Sequence, residues 1–198
     1  MSAAPDPARS HAPGAARLLV LSGPSGVGKG SVVSALLRLR PDVWKSVSVT
    51  TRAPRPGEVD GDDYVFVDEA TFERMVADGE LLEHARYAQH QYGTPRAPVV
   101  ERLGRSAPTV LEIELQGARQ VQVSLGTEAL LAFLAPPSWE ELERRLAGRG
   151  TEDPATVAER LEVARQELAA QHEFDVVVVN DDVERAAGAL LALWLPTG

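Results

Sequence analysis

The sequence predicts an α/β fold, with a parallel sheet covered by helices on both faces and a differently built segment inserted into it. Three observations carry this reading. Apolar runs at 18–22, 109–115, 129–135 and 175–180 alternate with stretches of helical periodicity, the order that lays parallel strands side by side through crossover helices. Residues 129–135 (ALLAFLA) are apolar at every position, which suits a strand buried on both faces. From about 46 to 95 the pattern changes to short, half-apolar runs with polar turns, which reads as an inserted, mostly antiparallel subdomain.

The first apolar run leads into GPSGVGKGS at 23–31 and then into an amphipathic helix over 31–40, which Pro41 stops. Strand, glycine-rich turn and helix is the setting in which G-x-x-x-x-G-K binds phosphate. Gly23, Gly26 and Gly28 admit backbone angles closed to other residues, so successive N–H groups can converge on an anion. The following helix adds unpaired N–H groups and the positive end of its dipole, and Lys29 reaches the outer phosphates. The alternative is a tight strand-to-helix turn and nothing more; a lysine at the motif's offset argues against it.

Residues 47–50 have strand character, and TRAPRPGE at 51–58 is a loop stiffened by two prolines. Strands are expected at 64–67 and 80–87, a helix at 69–78, a pairing partner at 90–93 and a helix at 95–103. Within 109–115, Glu112 and Glu114 fall on one face because strand side chains repeat every second residue. A helix follows at 116–125. Ser138 and Glu141 form a capping box that opens a helix through Ala147. Gly148-Arg149-Gly150-Thr151 breaks it, and Asp153-Pro154 starts a charged helix to about His172. Asp181 and Glu184 read as a second capping box, opening a terminal helix to about Leu195.

At 198 residues the chain is one domain with a substantial core. No apolar run is long enough to span a membrane, and residues 1–16, rich in alanine and proline, read as a disordered tail on a cytoplasmic protein. With no cysteine, disulfides and thiolate metal sites are excluded. A formal charge of −9 argues against a nucleic-acid partner, while arginines gathered in one cleft can still bind an anionic substrate. His84, His90 and His172 are scattered without ligand spacing. Oligomeric state is not legible.

Taken together, GPSGVGKGS, SVTTRAPRPGE at 48–58, DYVF at 63–66, Glu83, YGT at 92–94, EIELQG at 112–117, RGTE at 149–152 and VNDD at 179–182 resemble the guanylate kinase family. The block from Ser48 to Tyr64 makes the resemblance specific, because many NTPases share the phosphate loop alone. The resemblance implies a P-loop NTPase-type core (17–45, 96–137 and 173–198), a GMP-binding subdomain (46–95) and a helical lid (138–172). It implies ATP + GMP ⇌ ADP + GDP, with dGMP as a further acceptor and Mg²⁺ as cofactor. ATP would lie on Gly23, Pro24, Ser25, Gly26, Val27, Gly28, Lys29, Gly30 and Ser31, with Asn180 on the adenine side. The GMP phosphate would be held by Arg52, Arg55, Glu58, Tyr64 and Tyr92. The base would be read by Ser48, Glu83, Thr94 and Glu114, with Glu112 beside them. Lys29, Arg52, Arg149 and Arg160 would act in catalysis. Two positions depart from the family pattern. Glu114 stands where an aspartate is usual, and Gly30 replaces the hydroxyl residue that follows the lysine. Ser31 is the next hydroxyl, but adjacent helix residues point about 100° apart, so the protein ligand of the metal is left open and water and phosphate oxygens are expected to supply most of its shell.

These residue types suit that chemistry. The acceptor phosphate has a second pKa of about 6, so it needs no base at neutral pH. The difficulty is electrostatic, since two polyanions must meet in line, and cations, N–H groups and positioning answer it. Arginine binds phosphate oxygens bidentately, and Glu58 beside Arg52 and Arg55 suits the orienting of an arginine. Glu83 as a carboxylate accepts from guanine N1–H and its amine, whereas adenine offers a lone pair at N1; its alternative is an outward strand charge. Arg144 and Arg145 read as solvated helix surface. Two other functions stay open: a binding module without catalysis, and a kinase for another phosphorylated acceptor such as a sugar phosphate.

Overall fold

Five strands make the central sheet of the computed structural model: β1 (Leu18–Ser22), β2 (Trp44–Lys45), β7 (Thr109–Glu112), β8 (Ala129–Ala135) and β9 (Val176–Val179). They lie in the order 2-7-1-8-9 and every pair is parallel, Leu18 standing beside Thr109 on one side and Ala129 on the other. The structure describes residues 17–87, 89–147 and 154–195. The predicted tail, the break at 148–151 with Arg149, and the expected helix start at Asp153 lie outside the described residues.

Alternation along β1 divides the core in two. Leu19 and Leu21 join Val33 and Leu36 of α1 (Lys29–Leu39) and Ala187, Leu190 and Trp194 of α7 (Val183–Trp194). Leu18 and Val20 join Val99 of α3 (Arg96–Gly104) and Ala118 and Val121 of α4 (Leu115–Leu125) on the other face. Because both faces are covered, all seven residues of β8 are buried. Each fully buried Leu, Val or Phe contributes about 1.5–3 kcal/mol. No helix among the described residues is long and apolar enough to cross a membrane.

A second sheet contains β3 (Ser48–Thr50), β4 (Tyr64–Phe66), β5 (Leu81–Tyr87) and β6 (His90–Pro95), in the order 4-3-6-5. It encloses a small core of Val49, Phe72 and Leu81 beneath α2 (Glu69–Ala77). Two of its pairs are antiparallel, but β3 and β4 run parallel, Ser48 beside Tyr64. The proline loop between them is a crossover of about a dozen residues, long enough to bring the chain back in the same direction.

Other boundaries shift for local reasons. Helix α1 begins at Lys29, inside the phosphate loop motif. Strand β7 ends at Glu112, so Glu114 is not a ladder residue; it occupies the N-cap position of α4 with extended backbone. Extension continues through Ile113, whose N–H bonds Leu21 O at 3.1 Å, so the alternation of Glu112 and Glu114 outlasts the strand. Ser138 Oγ accepts the Glu141 N–H at 3.2 Å, opening α5 (Trp139–Ala147). The cap of α7 is Asp182, which accepts the Arg185 N–H at 2.9 Å, and not Asp181. Asp181 is spent on an ion pair with the Arg185 side chain, and Glu184 on one with Arg38. The short strand β2, not foreseen, extends the sheet beside β7.

Candidate active site

The phosphate loop stands at the C-terminal end of β1, where the N-terminus of α1 points at it. Gly28 caps that helix in the left-handed conformation (φ 96°), and a Cβ there would come within 2.7 Å of Asn180 Nδ2. Gly23 is tighter, since a Cβ would lie 2.3 Å from the Leu134 carbonyl oxygen. Lys29 arches back over the loop, donating to Gly23 O at 2.5 Å and Pro24 O at 3.4 Å, and its Nζ is 3.8 Å from Glu114 Oε1. Pro24, Ser25, Gly26 and Val27 form the bend, and the Val27 N–H closes it on Pro24 O at 3.2 Å. Gly30 and Ser31 are exposed on the first turn of α1.

Three side chains brace the loop from behind. Buried Asn180 donates to Val27 O at 2.8 Å. Arg145, read from the sequence as solvated surface, donates to Val27 O at 3.2 Å and Asn180 O at 3.4 Å, and pairs with Glu141. Arg144 is exposed and pairs with Glu141 alone, as a surface arginine does. Arg160, on α6 (Pro154–Ala169), donates to Ser25 Oγ at 2.9 Å.

Glu167 was missed by sequence reasoning. Two turns beyond Arg160 on α6, it is only 6% exposed, and one carboxylate oxygen has no hydrogen-bond partner among the described residues. Burial, and then the neighbouring charge of Glu114, hold its carboxyl well above the usual carboxylate range; Lys29 opposes this. A signal was available, because Glu167 falls at core spacing between Ala164 and Leu168 on the inward face of its helix.

The acceptor side is a cleft lined by Ser48, Arg52, Arg55, Tyr64, Glu83, Tyr92, Glu112 and Glu114, among others. Ser48, Tyr64, Glu112 and Glu114 also line the adjoining pocket with Lys29 and Lys45, so the two halves are continuous. Arg52 meets Glu58 through two bonds of 2.9 and 2.8 Å, and its guanidinium lies 5.2 Å from the centre of the Tyr64 ring. The same Glu58 accepts the Arg55 backbone N–H at 2.7 Å, which leaves the exposed Arg55 side chain at the rim. Arg52 holds the Glu58 carboxyl below its ordinary range.

Glu83 does not face outward. A bulge between Leu81 and Glu83 gives β5 an extra residue against β6, so Leu81, Leu82 and Glu83 are all buried before alternation resumes. Cross-strand from Thr94, Glu83 accepts that hydroxyl at 2.6 Å. Thr94 is fully buried. Burial pushes the Glu83 carboxyl up to about 7 against the Thr94 bond, and the charge of Glu114 adds to the rise. The site therefore joins an anion-binding loop to a cleft lined by an oriented arginine and a buried carboxyl.

The family model for guanylate kinase matches residues 15–193. Guanylate kinase of Thermobifida fusca (strain YX) is 62% identical over 177 residues, which are 89% of this chain and 90% of that protein. Guanylate kinase of Frankia casuarinae is 59% identical over 178 residues, 90% of this chain and 96% of that one. The crystal structure of guanylate kinase from Anaplasma phagocytophilum superposes with a TM-score of 0.75 at 36% identity, over 89% of this chain and 82% of that one. Loop, cleft and whole-length likeness point the same way, and the chain belongs to the guanylate kinase family.

Proposed function

We propose that this protein transfers the γ-phosphoryl group of ATP to the phosphate of GMP, yielding ADP and GDP, with dGMP as a second acceptor. The observation that carries the choice of acceptor is the buried Glu83, held by Thr94, in the wall of a cleft that Arg52 also lines. A carboxylate held there accepts the N1–H and amine of guanine, a pattern adenine cannot supply.

An oxygen of the GMP phosphate attacks the γ-phosphorus. The new P–O bond forms as the bond to the β–γ bridging oxygen breaks, and that electron pair leaves on ADP. No proton has to move to a side chain. Loop N–H groups from Ser25 to Ser31 and Lys29 receive the ATP phosphates, with Asn180 keeping the loop in shape. Arg52, fixed by Glu58, holds the acceptor phosphate in line with Arg55, Tyr64 and Tyr92. Ser48, Glu114 and Glu112 complete the wall beside the base. Residues 46–95 act as the GMP-binding subdomain on the core, and 138–172 as a lid. Arg160 with Arg149 stabilises charge on the transferring group. A divalent cation fits oxygen donors of this kind. Ser31 is the exposed hydroxyl on the first turn of α1, and phosphate oxygens and water would supply most of the shell of such an ion. Bound as Mg²⁺, it neutralises phosphate charge. Two water-soluble nucleotide substrates suit a reaction in the cytoplasm.

The test is ADP release from ATP, measured with GMP, AMP, UMP or no acceptor. GMP alone should give rapid turnover. Equal rates with AMP would overturn the base assignment, and none with any acceptor would overturn the activity.

A further inference from the structure

We infer that Gly117 sets the base specificity of the acceptor site by leaving room for Glu83 against the first turn of α4. This rests on the reading of Glu83 as the residue that recognises guanine.

Gly117 is buried in a helix, where glycine is ordinarily a poor choice beside alanine. The reason is spatial and not a backbone angle. A Cβ at Gly117 would lie 2.2 Å from Glu83 Oε2 and 2.8 Å from its Cδ, distances at which something must move. Here the atoms in the way are the carboxylate itself. Its other oxygen is fastened by Thr94 Oγ1 at 2.6 Å, and Thr94 is itself fully buried. The helix is equally fixed. One turn after Gly117, Gln120 accepts the His84 N–H at 3.1 Å and donates to His84 O at 2.6 Å, so its amide pairs with the edge of β5 as a neighbouring strand would. Glu83 is therefore set between Thr94 on one side and the bare Cα of Gly117 on the other. The groups around it are Thr94, Glu114 and Gly117, and no cation pairs with it among the described residues. A methyl group at Gly117 displaces the carboxylate by roughly the ångström that hydrogen-bond geometry does not tolerate. Gly117 is a positioning residue and touches no substrate.

The experiment compares wild type, Gly117→Ala, Glu83→Gln, Glu83→Asp and Gly117→Ala/Glu83→Asp, reading KM for GMP and ATP, GMP-over-AMP preference and melting temperature. Gly117→Ala should raise KM for GMP at least tenfold and lower the preference over AMP, with KM for ATP and melting temperature unchanged. Its effect should shrink to under threefold in the Glu83→Asp background, because a shorter side chain restores the space. Unchanged kinetics in Gly117→Ala, equal damage to both substrates, loss of folding, or an undiminished effect in the Glu83→Asp background would each overturn the inference. If Glu83→Gln leaves base preference intact, the underlying reading of Glu83 fails instead, which separates the two.

Discussion

Arg52 and Glu58 are joined fork to fork. Nη1 donates to Oε2 at 2.9 Å and Nη2 to Oε1 at 2.8 Å, with the aromatic rings of Tyr64 and Phe66 beside the guanidinium. The pair orients an arginine in the cleft before any phosphate arrives, so in the proposed reaction Glu58 would act on the acceptor through Arg52. Arg52→Ala should raise KM for GMP about ten- to a hundredfold, the equivalent of a lost charged hydrogen bond of about 1.5–3 kcal/mol. Glu58→Gln should follow in the same direction with a smaller change, and Arg52→Lys should not rescue, since an ammonium lacks the planar fork. Steady-state kinetics with each substrate varied in turn decides this. Equal rises in KM for ATP would contradict a separate acceptor site.

Lys29 is tied to the carbonyls of Gly23 and Pro24, so its ammonium is held over the loop it serves. In the proposed reaction, Lys29→Met would remove that charge from the developing transition state. Turnover should fall by at least about a hundredfold, as for loss of a preorganised electrostatic donor. The far-ultraviolet spectrum should not change. Full activity in the folded variant would remove Lys29 from catalysis.

How far the sequence announced all this depends on the range of the interaction. Period-two and period-3.6 patterns are local, which is why β8 and the alternation of β1 were legible, and why the loop motif located one end of the site. Glu83 was legible as a type of residue but not as a buried one, because the bulge that turns it inward depends on how β5 registers against β6. Arg145 was misjudged for the same reason: its targets, Val27 O and Asn180 O, are brought to it only by the packed sheet. Neighbouring Arg144, of identical local character, stays on the surface.

The carboxyl of Glu83 gives a pH dependence whose sign can be worked out. Its folded value of about 7 lies above the ordinary 4.5, so the folded protein keeps a proton that the unfolded chain releases. The associated stability is fully present below the unfolded value and is lost as pH rises through the folded one. Glu83→Gln, which keeps an oxygen for Thr94, should therefore stabilise the protein at pH 8 by up to about 3 kcal/mol and have little effect at pH 4. Binding runs the other way, because the proposed contact with guanine needs the carboxylate. KM for GMP should rise about tenfold for each unit below about pH 7, and Glu83→Gln should flatten that slope to whatever the acceptor phosphate, with its pKa of about 6, imposes. A wild-type KM independent of pH between 5 and 8 would contradict the assignment.

Gly30 is the remaining departure from the phosphate-loop pattern, and its surroundings separate two explanations for it. If the glycine were needed for space, a Cβ would collide; instead, among the described residues, it would meet the Glu112 carboxylate at the ordinary distances of 3.5 Å (Oε1) and 3.9 Å (Oε2). Its backbone lies within α1 and carries no left-handed strain. Gly30→Ser should therefore fold normally. Its hydroxyl would occupy the place from which a serine or threonine after the lysine normally binds the metal. Ser31 cannot fill that place by simple substitution, because adjacent helix residues point about 100° apart. The wild-type ion should then lean on phosphate oxygens and water, and the added ligand should lower the free Mg²⁺ needed for half-maximal rate. It should also tighten Mg²⁺-dependent ATP binding measured by calorimetry in the absence of GMP. Ser31→Ala should be only modestly impaired in both. A folded but inactive Gly30→Ser would mean that Glu112, and not the metal, is what a side chain at this position disturbs. A tenfold or larger shift in Mg²⁺ requirement from Ser31→Ala alone, about 1.4 kcal/mol, would make Ser31 the ligand and overturn the geometric argument.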